Sequence, residues 1–241
     1  MPIAASPDAP RGLPLVFVPG LNCTADLFAP QIAHFRDAHP VTVADHASDE
    51  TIAEIAHRLL ASAPPKFALI GLSMGGYVAL EVMRQAPQRV AKLALLDTRA
   101  SQDVLGDTEI RQAAIKMAQT GRFDDIHNVL WPRIVHIRRL GDTALEAIVR
   151  TMSDKTGPAR FIRQQKAIMA RPSYEASLAA IRCPTLILVG EDDALTPRFM
   201  SEDMAEAIRG SELVVVPDCG HLSTLERPEA VNAALERWLA A

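Results

Sequence analysis

Cysteine is scarce in this chain, and positive charge is nowhere gathered. Cys23, Cys183 and Cys219 are three, an odd number without CxxC spacing. That argues against a disulfide framework and against a zinc site, and free thiols fit a reducing compartment. Lys and Arg are scattered, with Arg138-Arg139 the only adjacent basic pair, and the net charge is -4, so nucleic acid is a poor candidate partner. No apolar run approaches the length of a membrane span. The segment Met1 to Pro10 lacks the basic start and apolar stretch of a secretion signal. The expectation is a cytoplasmic protein that binds no membrane. Internal repeats and low-complexity stretches are also absent.

What is present is ordinary globular material. With 241 residues, 49% hydrophobic and 22% charged, the chain has enough for one sizeable domain or a domain carrying a large insertion. Residues 1 to 12, rich in Pro and Ala, read as a tail. Short apolar runs then alternate with helical spacing: strands at Leu13–Val18, Val41–Val43, from Phe67, and at Val90–Leu96; helices at Leu27–Phe35, Thr51–Ser62, capped by Ser48-Asp49, and over 74–86. Such alternation with continuously apolar strands implies a parallel sheet covered by helices on both faces. Residues 98–181 break the rhythm and read as helices only: Asp107–Thr120, Phe123–Leu130, Asp142–Asp154 and Ala159–Ala170, separated by Gly121, Pro132, Gly141 and Gly157-Pro158. Strands return at Thr185–Val189 and Glu212–Val216, with a helix from Thr196-Pro197 to Arg209 between them and a last helix from Pro228. The organisation expected is a core of residues 1–97 and 182–241 with a helical cap inserted at 98–181.

The stretch around which the chain is organised is Phe67–Gly76, an apolar run that breaks into Gly71-Leu72-Ser73-Met74-Gly75 and continues with helical spacing. A serine in such a strand-turn-helix is lifted off the strand end, and the glycines avoid a collision across the turn. The helix begins directly beneath the oxygen, with its free amides facing any charge that develops on a substrate. A serine hydroxyl is a weak nucleophile. It needs a base, and the base needs a carboxylate to orient it. Three polar groups follow strand ends, where ligands collect in parallel sheets: Ser73, the Asp192-Asp193 pair and His221. His34 and His57 fall inside helices and His39 and His46 flank an early strand, so His221 alone among these is placed correctly. Either aspartate is compatible with the spacing. The Met74 N–H and, from the sharp Val18-Pro19-Gly20-Leu21 turn, the Leu21 N–H are the candidate oxyanion donors. In the insertion, Trp131, His127, His136, Met152, Phe161 and Met169 are candidates for lining a pocket, Trp131 foremost among them as a substrate-binding residue.

These segments, with Leu188–Pro197 and Cys219-Gly220-His221, resemble the α/β-hydrolase fold family from Leu13 to Trp238. The family's Gly-x-x-Asp-x-x-x-Pro pattern carries the catalytic acid over to Asp193. Two departures stand out: Pro19-Gly20 occupies the oxyanion loop where many relatives have His-Gly, and there is no room for antiparallel strands ahead of the first parallel one. The sheet should therefore be all-parallel with about six strands. The resemblance implies a carboxylesterase-like serine hydrolase with a Ser73-His221-Asp193 catalytic triad, acting on a small ester and requiring no metal or organic cofactor. Hydrolases of dienoates or enol-lactones and cofactor-free perhydrolases share this layout, although Leu72 offers none of the polar side chain that dienoate hydrolases often place before the nucleophile. A non-enzymatic ligand receptor on the same fold is the alternative of another class. Oligomeric state is left open.

Overall fold

A computed structural model describes residues 12–241; the tail expected at 1–12 lies, but for Gly12, outside the described residues. Six strands form one sheet in the order β2-β1-β3-β4-β5-β6, comprising β1 (Leu15–Val18), β2 (Val41–Val43), β3 (Phe67–Leu72), β4 (Val90–Leu96), β5 (Thr185–Gly190) and β6 (Glu212–Val216). Every pairing is parallel. The chain leaves β1 toward β2 and leaves β3 in the opposite direction toward β4, so the order reverses between β1 and β3. Loops diverge there at the carboxyl edge and leave a crevice, which is where open parallel sheets bind ligands.

Strand alternation fixes the two faces. Val16, Val18, Phe67, Leu69, Leu93, Leu95 and Ile187 point to the face covered by α2 (Ile52–Ser62), α3 (Met74–Gln85) and α8 (Arg198–Ala207). Leu15, Phe17, Ala68, Ile70, Ala94, Leu96, Leu186 and Leu188 point to the other face, covered by α1 (Ala29–Phe35) and α10 (Pro228–Ala240). Both faces are apolar, which is why the strands read as unbroken hydrophobic runs.

Between β4 and β5 the chain forms α4 (Leu105–Gln119), α5 (Phe123–Ile134), α6 (Thr143–Met169) and α7 (Glu175–Leu178), and no strand. α6 is interrupted at Gly157, whose φ of 69° and ψ of 165° are non-helical; the helical spacing on either side of Gly157-Pro158 reflects that kink. α5 continues through Pro132, where the spacing ended a helix at Leu130. Proline that close to a helix end removes one internal hydrogen bond and leaves the rest intact. α4 starts earlier than Asp107 because the Asp107 carboxylate accepts the Val104 N–H at 3.2 Å. Likewise the cap of α2 is Thr51, whose hydroxyl accepts the Glu54 N–H at 3.1 Å, while Asp49 is engaged by Arg58 at 2.6 Å. A short α9 (Ser223–Glu226) follows the histidine loop. Among the described residues no helix is long and apolar enough to cross a membrane.

Candidate active site

Ser73 sits between β3 and α3 with φ 55° and ψ −116°, a left-handed conformation that costs a non-glycine residue about 1–3 kcal/mol and persists only where its surroundings enforce it. They do. The Ser73 N–H donates to the Leu96 carbonyl at 3.0 Å, and the Ser73 carbonyl accepts from the Gly76 N–H at 2.9 Å and the Thr98 hydroxyl at 2.8 Å. A β-carbon on Gly75 would strike the Val18 carbonyl oxygen, and one on Gly71 would strike the Gly75 carbonyl. Helix α3 therefore packs directly against the end of β1, and the serine is half-buried with its side chain facing a cavity.

The carboxylate comes from the loop after β5. Asp193 Oδ1 accepts the Leu195 and Thr196 amides at 2.8 and 3.0 Å, and Oδ2 accepts the Thr196 hydroxyl at 2.6 Å and His221 Nδ1–H at 2.7 Å. Asp192 points away: its exposed carboxylate lies 3.4 Å from His136 Nε2. The structure thus brings His221 together with Asp193 and leaves Asp192 outside. Burial pushes the Asp193 carboxyl up, but the charge and hydrogen bond of His221 and the Thr196 bonds more than reverse this and hold it below the usual carboxylate range. For His221, burial opposes protonation, and the charge and hydrogen bond of Asp193, with Asp97 and Glu226 behind it, outweigh that and raise the imidazole above its ordinary value. With Nδ1 carrying the proton donated to Asp193, Nε2 is the nitrogen with a free lone pair.

The histidine loop is fastened to the inserted helices. The Ile134 carbonyl, at the end of α5, accepts both the His221 and Leu222 amides at 3.2 Å. Glu226 accepts the Gly220, Leu222 and His136 amides at 3.1, 3.3 and 2.8 Å. Asp97, wholly buried at the end of β4, accepts Gly190 N–H at 2.9 Å and bonds the Ser223 hydroxyl, so it ties the acid loop to the histidine loop. Burial first, and the Asp193 charge second, push the Asp97 carboxyl well up.

Leu21 N–H and Met74 N–H donate to no protein acceptor among the described residues. The loop bearing Leu21 is braced by His46, whose Nε2 donates to the Gly20 carbonyl at 2.9 Å. Sequence reasoning left His46, Asp97, Thr196 and Glu226 without a role. The contacts of His46 and Asp97, and that of Glu226 with His136, join distant segments and leave no local signal, whereas the Asp193-to-Thr196 spacing is that of a turn in which a hydroxyl can serve the carboxylate.

Ser73, His221, Leu21 and Leu72 line one cavity of about 180 Å³ together with Leu130, Ile134 and Ile168 from the inserted helices. Trp131 is not part of its wall. It packs in the core, donates Nε1–H to the Leu140 carbonyl at 3.1 Å and stacks on His127, with ring centres 5.6 Å apart. His127 does line the cavity, whereas His136, Met152, Phe161 and Met169 do not.

The sequence pattern of the alpha/beta hydrolase family matches residues 15–234. A thermophilic esterase from Thermogutta terrifontis superposes with a TM-score of 0.88 at 30% identity, covering 96% of this chain and 91% of that one. The enol-lactonase of Burkholderia xenovorans LB400 superposes with a TM-score of 0.86 at 21% identity over 97% of this chain and 95% of that one, a likeness of fold. In sequence, the 2-hydroxy-6-oxononadienedioate/2-hydroxy-6-oxononatrienedioate hydrolase of Escherichia coli K12 is 28% identical over 180 residues, which cover 73% of this chain and 62% of that protein.

Proposed function

This chain belongs to the alpha/beta hydrolase family, and from that premise we propose that it is a serine hydrolase that cleaves a small carboxylic ester through Ser73, His221 and Asp193. The observation that carries the proposal is His221 held 2.7 Å from Asp193 in the wall of the cavity onto which Ser73 is turned. In this reading His221 Nε2 takes the hydroxyl proton as Ser73 Oγ bonds to the ester carbonyl carbon. The tetrahedral oxyanion is received by the Leu21 and Met74 amides, each worth about 3 kcal/mol when preorganised. The carbonyl re-forms, the alkoxide leaves with the proton from His221, and an acyl-enzyme remains. A water molecule, deprotonated by His221, then releases the carboxylic acid and restores the Ser73 hydroxyl.

Asp193 orients His221 and stabilises its charged form. The helices of residues 98–181 serve as a cap, since Leu130, Ile134 and Ile168 complete the cavity and exclude bulk water from the acyl group. Leu72 beside the serine is apolar, which favours ester or lactone carbonyls over carbon–carbon cleavage of dienoates. The test is labelling of Ser73 by a fluorophosphonate together with turnover of short 4-nitrophenyl esters. Labelling and turnover, both lost in Ser73→Ala, are expected. A protein that neither labels nor turns over any ester or lactone, yet binds small molecules, is a receptor, and the proposal fails.

A further inference from the structure

At one end of the cavity lies a group of charges that the chemistry at Ser73 does not use. Arg99 Nη2 contacts Asp103 Oδ1 at 2.8 Å and Asp107 Oδ2 at 2.6 Å. Arg111 Nε contacts Asp103 Oδ2 at 2.6 Å, and its Nη1 donates to Gln165 Oε1 at 2.9 Å. Arg171, wholly buried, contacts Asp103 Oδ1 at 2.8 Å and lies 4.0 Å over the Tyr77 ring. The three guanidiniums thus share two carboxylates. Arg99 is 7% exposed, its Nε is buried without a partner, and its Nη1 makes no hydrogen bond among the described residues. Arg99, Arg111 and Arg133 line the cavity against a single acidic lining residue, Asp107.

A surplus cation in a largely apolar, half-enclosed space is costly unless an anion completes it. Planar guanidiniums with free N–H groups are suited to a carboxylate. Arg99 is also tied to the chemistry, because Thr98, its neighbour in the chain, donates to the Ser73 carbonyl at 2.8 Å. Resting on the ester-hydrolase reading, we propose that Arg99 and Arg111 form an anion subsite. The substrate is then a half-ester of a dicarboxylic acid: its scissile carbonyl sits at Ser73, its apolar chain against Leu21, Leu130 and Ile168, and its far carboxylate on the guanidiniums.

The experiment compares mono-4-nitrophenyl esters of C4 to C8 diacids with 4-nitrophenyl alkanoates of matched length. The anionic ester is favoured in kcat/KM by about 10- to 100-fold at one chain length, mainly through KM, the scale of a charge-assisted hydrogen bond lost or gained. Arg99→Lys and Arg111→Gln each collapse that ratio by about tenfold or more. Arg111, at the more accessible edge of the cluster, provides a second variant should Arg99→Lys not fold. In parallel, Ser73→Ala is titrated by calorimetry with monomethyl adipate and with methyl hexanoate, which reads anion recognition without turnover. Equal handling of charged and neutral partners in both assays, or a preference that neither arginine variant alters, overturns the subsite while leaving the hydrolase intact. Selective binding of the half-ester without turnover of any ester overturns the hydrolase reading and keeps the subsite.

Discussion

Ser73 holds its left-handed backbone, φ 55°, because the Leu96, Gly76 and Thr98 bonds leave it no other. Its side chain adds nothing to the core, so Ser73→Ala should lower kcat by about 10⁴- to 10⁶-fold with the melting temperature nearly unchanged. Ser73→Gly should lose the same activity and melt higher by the equivalent of about 1 kcal/mol, because glycine adopts this φ without strain; calorimetry on the two variants separates chemistry from strain. The adjacent aspartates give a sharper contrast. Asp193→Asn should reduce kcat by about 10⁴-fold, and Asp192→Asn, whose carboxylate is exposed and directed at His136, should change it little; kinetics of both on one ester decide the assignment. In the proposed mechanism His221 must be neutral to accept a proton, and it is raised above its ordinary value of 6.5. Hence kcat/KM should climb with pH through a midpoint above 6.5. In Asp193→Asn the anion that favours imidazolium is gone, so the midpoint of the residual activity should fall; a midpoint that rises or stays fixed would contradict the pairing.

At the level of elements, six strands and most helices were legible because each carries its own period: continuous apolar runs for buried strands, helical spacing for α2 and α10. Ser73, the Asp192-Asp193 pair and His221 could be singled out because each follows a strand end, a position that the order of the chain itself exposes, whereas the choice of Asp193 over Asp192 rests on the family's pattern. What was not legible depends on contacts across the sequence. His46 reaches Gly20 over 26 residues, and Glu226 reaches His136 over 90. Trp131 was a candidate for the pocket wall as a large aromatic in the insertion, but aromatic residues at helical spacing also build cores, and here its Nε1–H is bonded to Leu140 and its ring is packed in the core. Between β4 and β5, the fifteen-residue α4 is weakly anchored, with only Ala118 buried, and it packs on α5 and α6 rather than on the sheet. Hydrogen exchange should therefore be faster in α4 and α5 than in β3 and β4 by several orders of magnitude, as for segments that open locally. Uniform protection across both would count against a mobile cap.

Over the whole molecule, the sheet is closed off at its far end by α10, where Trp238 donates Nε1–H to the Pro184 carbonyl at 3.1 Å and accepts Lys92 Nζ at 2.8 Å through its own carbonyl. Trp238→Ala should cost about 3–5 kcal/mol in denaturant unfolding, while the folded fraction keeps the wild-type kcat, because Pro184 and Lys92 lie near the starts of β5 and β4, at the edge opposite the carboxyl ends. The Ile134 carbonyl that holds the His221 and Leu222 amides has a mechanical consequence. The end of α5 is pinned there to the segment carrying His221, so a displacement of that corner would carry the imidazole with it. By contrast α4, held through Asp107 to Arg99 and through Arg111 to Asp103, makes no hydrogen bond to the histidine segment among the described residues, so its displacement leaves the imidazole where it is.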